Sequence, residues 1–120
     1  MQIGETLEVH DPQDLAAWFA AHGREAREVW AIIYKKASGK QAVTYPQLVE
    51  VALCYGWIDV QDKTVDAERY AIRFRPRRPQ SHWTETNRAL ALRLLAEGRM
   101  TEAGRAVLPP DLLRDEAADH

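Results

Sequence analysis

Between Gly56 and Pro76 apolar residues recur at every second position in two separate runs. Ile58 and Val60 alternate with Trp57, Asp59 and Gln61, and further on Tyr70, Ile72 and Phe74 alternate with Ala71, Arg73 and Arg75. Successive side chains of an extended chain point to opposite faces, so a period of two specifies a half-buried strand; a helix would scatter the same residues around its circumference. The polar stretch Asp62 to Glu68 is the turn between them, which makes the pair an antiparallel hairpin. Pro76 cannot donate to a strand ladder and ends the second run. In this phase Ile58, Val60, Ile72 and Phe74 face a core. Trp57, Asp59, Gln61, Arg73 and Arg75 then share the opposite face, which is either a polar cleft or a solvated surface.

The rest of the chain supplies cover for that sheet. Asp11-Pro12-Gln13-Asp14 offers a capping side chain, a proline suited to the first helical position and an acid at the positive end of the dipole. The helix it opens buries Leu15, Trp18 and Phe19, and Gly23 can close it in the left-handed conformation. Val29 to Tyr34, VWAIIY, is apolar on both alternating faces and β-branched, as a central strand requires. Lys35 to Lys40 forms a basic turn around Ser38-Gly39. Thr44 and Gln47 stand three apart as a capping box for a helix that runs to Tyr55 and stops at Gly56. After Pro76 the chain is extended, with Arg77 and Arg78 bracketed by Pro79. Ser81 or Thr84 caps a third helix with Leu90, Ala91, Leu94 and Leu95 on its apolar face, and Thr101 begins a short fourth one, stopped by Pro109-Pro110. The order α-β-α-β-β-α-α specifies a single α+β domain with a small, mainly antiparallel sheet of about three strands packed with four helices. Residues 1–10 form an N-terminal extension, 11–108 the domain, and 109–120 a tail with an acidic end.

Charge singles out one part of the chain. The arginines at 69, 73, 75, 77, 78, 88 and 93 oppose one acid, Glu85, in the same window, a local charge of +6 in a chain of net charge −2. A basic concentration on an otherwise acidic protein favours an anionic ligand. The pI near 6.1 argues against general nucleic-acid binding, although a stripe along 69–93 keeps that reading open. No apolar run approaches the ~20 residues of a membrane span, and the first residues lack the pattern of a secretory signal, so a cytoplasmic location is expected. Cys54 is the only cysteine, and His10, His22, His82 and His120 lack helical metal-site spacing, so neither a disulfide nor a metal centre is expected. No phosphate-loop, dinucleotide, nucleophile-elbow or zincin motif is present, and no cofactor is implied. The sequence carries no signal for oligomeric state.

Several short motifs together carry a family resemblance. Ala52-Leu53-Cys54-Tyr55-Gly56-Trp57-Ile58-Asp59, Glu68-Arg69-Tyr70, Arg73-Phe74, Pro76-Arg77-Arg78-Pro79, Trp83, Asn87 and Ala96 to Thr101 followed by Ala103-Gly104 resemble the YdeI/OmpD-associated, or bacteriocin-protection, family of bacterial proteins. The resemblance spans about Leu15 to Gly104. It implies a small cytoplasmic α+β domain associated with antimicrobial-peptide tolerance or envelope stress, and no reaction. The chain departs from that family at Arg75, where relatives carry a small hydroxyl residue, which sets Arg75 apart from any site the family shares.

The candidate site is a cleft lined by Trp57, Asp59, Tyr70, Arg73, Arg77 and Trp83. Arg73 and Arg77 would neutralise a small anion, phosphate-bearing or otherwise, because the planar guanidinium fork matches phosphate and carboxylate oxygens. Trp57 and Trp83 would give flat apolar contact, and Asp59 would orient an arginine or accept from the ligand. The plainer reading pairs Asp59 with Arg73 across the strands and buries both indoles. An enzyme using Asp59, Asp66 or Glu68 as base or Cys54 as nucleophile, and an interaction module with Trp57 and Trp83 as anchors, remain as alternatives.

Overall fold

A computed structural model gives the fold and describes residues 5–78 and 82–113. Two capping boxes fix the helices that cover the sheet. Asp11 accepts from the Gln13 amide at 2.7 Å, and the Asp14 carboxylate reaches back to the Asp11 amide, opening α1 at Pro12–His22. Thr44 and Gln47 exchange the same pair of bonds at the start of α2, Tyr45–Cys54. Each box pairs amide groups that the first helical turn leaves without partners. Gly23 ends α1 at φ −62°, not left-handed as the sequence suggested. It is needed for space: a Cβ there would stand 2.5 Å from the Phe19 carbonyl oxygen.

The sheet holds four strands: β1 at Thr6–Glu8, β2 at Val29–Tyr34, β3 at Trp57–Thr64 and β4 at Arg69–Pro76, in the order β1-β2-β4-β3. β1 runs parallel to β2, and the other pairs are antiparallel. The α+β architecture and the small, mainly antiparallel sheet follow the sequence reading, with β1 as a fourth strand drawn from the 1–10 segment. Val29, Ala31 and Ile33 of β2 share a face with Ile72 and Phe74, and pack there against Leu15 and Phe19 of α1 and Leu48, Val51 and Ala52 of α2.

A second core forms on the other side of α2. Leu53 and Cys54 meet Ala91, Leu94 and Leu95 of α3, Glu85–Ala96, together with Trp83, Met100, Leu108 and Leu112. Thr84 is the N-cap of α3. Leu112, beyond the prolines at 109 and 110, is buried in this cluster, so the packed unit continues past 108. Thr101 caps α4, Glu102–Arg105, and both its amide and its hydroxyl donate to the Cys54 carbonyl, at 3.0 and 2.6 Å. Pro79, Ser81 and the acidic tail lie outside the described residues.

One irregularity redirects the hairpin. Asp59 is registered with Phe74 and Gln61 with Arg73, so Val60 is an extra residue in β3. Such a bulge leaves one residue unpaired and shifts the alternation after it. Trp57, Asp59 and Asp62 therefore lie on the helix-covered face with Phe74 and Ile72, while Ile58, Gln61 and Lys63 share the open face with Arg75, Arg73 and Ala71. This reverses the expected facing of Trp57, Asp59, Ile58 and Val60: the core side takes Trp57 and Asp59, and Val60 is 48% exposed.

Candidate functional site

The bulge divides the six residues singled out from the sequence. Trp57 is 3% exposed, with its ring centroid 4.9 Å from that of Phe19 and 5.7 Å from that of Trp18. Asp59 accepts a short hydrogen bond from the Tyr45 hydroxyl; burial first, and then this carboxylate, push the Tyr45 phenol well above its usual range. Tyr70 packs against the same core, and burial raises its pKa as well. Arg73 lies on the opposite face. Its Nε and Nη2 donate to Glu28 Oε1 at 3.1 and 2.6 Å, and its guanidinium carbon sits 5.9 Å from the Trp30 ring. The Arg73 hydrogen bond is the main cause holding the Glu28 carboxyl below the usual carboxylate range. Arg77 and Trp83 are brought into contact, guanidinium carbon to ring centroid at 4.1 Å. A single cleft lined by all six is not formed: Trp57 and Asp59, placed by the bulge, share the helix-covered face with Tyr70, Arg73 lies on the other face by the alternation of β4, and Arg77 and Trp83 follow the end of the strand.

The basic window is also divided. Arg69 bonds Asp66 and Glu8, each at 2.9 Å, and Arg88 bonds Asp111. Arg93 bonds Glu50 at 3.1 Å and Glu97 at 3.4 Å. With Arg73 on Glu28, four of the seven arginines are neutralised, mostly by acids far away in sequence. Arg75, Arg77 and Arg78 are left over, and they converge.

These three line a pocket of about 400 Å³ together with Arg27, from the segment that leads into β2, and His82. None of the four arginines forms an ion pair among the described residues, and Arg75 reaches Glu28 only by longer-range attraction. Ala26, Ile58, Val60 and Pro76 complete the walls, and among the described residues the lining holds no carboxylate, thiol or hydroxyl.

Arg77 is the anchor of this pocket. Its amide donates to the Gly56 carbonyl at 2.8 Å, which fixes the chain just after β4 against the end of α2. The side chain is 7% exposed, lies over the Trp83 ring, and leaves Nε and Nη1 buried without a hydrogen-bond partner. Burial lowers its pKa and the Asp59 carboxylate opposes that. The indole Nε1 of Trp83 is likewise buried and unpaired. Unpaired buried polar groups are rare, because each loses its hydration and gains nothing in exchange. Arg27 escaped the sequence reading, which expected Val60 in the core and counted Arg75 and Arg78 in the basic window without placing them in the cleft. Arg27 lies outside the basic window, and it reaches the pocket from the segment just before β2, whose first residue, Val29, is registered with Phe74 of β4.

Residues 7–107 match the family described as a domain of unknown function, DUF8412, over most of the chain. The chain belongs to the DUF8412 family. No curated protein and no solved structure matches it. In this DUF8412 domain Cys54 is 5% exposed, and burial raises its thiol pKa, the opposite of what a nucleophile needs. Asp66 is committed to the Glu68 and Arg69 amides and to the Arg69 side chain. Glu68 is paired with Lys40 in the basic turn. Among the described residues no group of three His, Cys, Asp or Glu side chains could hold a metal ion, and no helix is long and apolar enough to cross a membrane.

Proposed function

We propose that this DUF8412 domain binds a small anion in the pocket lined by Arg27, Arg75, Arg77 and Arg78. One observation carries the reading: four arginines that form no ion pair among the described residues line a single concavity, and one of them is buried with two unpaired nitrogens. Like charges gathered in this way repel one another, and a bound anion is what offsets that repulsion. Arginine forks suit phosphate and carboxylate oxygens in two-point contacts. A cleft of this volume is in the range that takes a small molecule. The division of the window by ion pairs favours a local site over a continuous stripe for nucleic acid. The resemblance to the YdeI/OmpD-associated family supplies the setting within this proposal, a bacterial cytoplasmic domain tied to envelope stress.

Calorimetric titration with inorganic phosphate and with citrate at low chloride tests it. Arg75→Ala and Arg78→Ala each remove one exposed cation and weaken binding on the order of tenfold. Lys40→Ala, which removes an exposed charge elsewhere, leaves affinity unchanged. Equal affinity in all three variants refutes the site.

A further inference from the structure

The pocket lining combines charged and apolar side chains, and the two together specify a class of ligand. Its volume of about 400 Å³ is more than ten times the ~30 Å³ share of one water molecule. A bare inorganic anion, comparable with a few waters, would leave most of that space filled by solvent. Besides the arginines and His82, the lining residues are Ile58, Val60, Ala26 and Pro76. Val60 is 48% exposed, a large apolar side chain turned to solvent by the bulge in β3. Exposed apolar surface facing a concavity gains by being covered, at about 25 cal/mol per Å².

The charge narrows the class further. Four arginines without ion pairs among the described residues are better matched by a dianion than by a single carboxylate, and a phosphate monoester carries roughly −1.5 to −2 charges near neutral pH. We infer that the ligand is a phosphate monoester with a compact apolar body: the phosphate lies among the arginines, and the body covers Val60 and Ile58. This inference rests on the anion-binding reading above and adds the identity of the ligand's other half.

Calorimetry with phenyl phosphate, inorganic phosphate and benzoate at one ionic strength separates the two layers. Phenyl phosphate binds about tenfold tighter than either of the others, the margin expected from covering part of an aryl ring. Val60→Ser, at an exposed position where the fold loses little, removes most of that margin. Equal affinity for phenyl and inorganic phosphate, or a margin untouched by Val60→Ser, overturns the apolar half while anion binding stands. Benzoate as tight as phenyl phosphate overturns the phosphate assignment. No heat with any of the three overturns both layers.

Discussion

Replacing Arg77 by methionine should make the ligand-free protein more stable and blind to phosphate. Arg77 is 7% exposed, and its Nε and Nη1 have no hydrogen-bond partner. Replacing buried ionic groups with apolar side chains of similar volume is commonly neutral or stabilising by about 1–4 kcal/mol even where the charges are paired. Against this stands the loss of the guanidinium from the Trp83 ring, 4.1 Å away, worth about 0.5–2 kcal/mol. The amide bond to the Gly56 carbonyl belongs to the backbone and survives. The net is a gain of about 1 kcal/mol, which in a domain of this size raises the melting temperature by roughly 3–5 °C. Thermal unfolding followed by far-ultraviolet circular dichroism in a low-anion buffer reads this directly. Phenyl phosphate at a hundred times its Kd should then stabilise the wild type by about 2.7 kcal/mol and Arg77→Met hardly at all. A variant that melts several degrees lower without ligand, and still responds to phosphate like the wild type, would refute the reasoning, since Arg77 would then be an ordinary structural residue.

Gly56→Ala should cost roughly 2–4 kcal/mol, seen as a lower urea midpoint, because it combines a strained positive φ with overpacking. Gly56 has φ +79°, and a Cβ there would lie 2.8 Å from the Ala103 carbonyl oxygen. Glu28→Gln should cost about 1 kcal/mol at pH 7. The native Glu28 carboxyl is held down by Arg73, so its contribution is complete above the unfolded pKa of roughly 4.3 and fades as pH falls through the depressed native value. The difference in urea midpoint between wild type and variant should therefore close in acid, and a gap that persists at pH 2 contradicts the assignment. Cys54 should resist iodoacetamide in the folded protein and react on unfolding, by mass spectrometry, because burial both hides the thiol and raises its pKa.

What the sequence disclosed depended on how local each determinant is. Both capping boxes, the two hairpin strands and the central strand are written in contiguous residues, and each lies where its pattern placed it. β1 is three residues long and draws its register from β2, so Thr6-Leu7-Glu8 carries no pattern of its own. The bulge was hidden for a different reason: Val60 continues the alternation of Ile58, and nothing in WIDVQDKT marks the residue that drops out of register. That one residue moved Trp57 and Asp59 into the core and turned Ile58 and Val60 outward. The charge count misled in the same manner, since the acids that neutralise Arg69, Arg73, Arg88 and Arg93 include Glu8, Glu28, Glu50 and Asp111, all outside the basic window. Arg77 was legible because prolines flank its segment, whereas Arg27 needed the pairing of two strands far apart in the chain.

The arginines of this one domain also serve as controls for one another. Arg69, Arg73, Arg88 and Arg93 show how this fold treats an arginine with a structural role: each meets at least one carboxylate. Arg77 is more buried than any of them and meets none, although Asp59 is near enough to be felt through its field. One oxygen of that carboxylate accepts from the Tyr45 hydroxyl, and Arg77 keeps Nε and Nη1 buried without a hydrogen-bonding partner. Coulomb attraction at short range in a poorly solvated site is several times stronger than in water, so an oxyanion entering the pocket gains more there than at the exposed pairs. In the ligand-bound protein a phosphate would stand in relation to Arg77 where Glu28 stands to Arg73. The stability lost by leaving that place open in the free protein is the same quantity that Arg77→Met should recover.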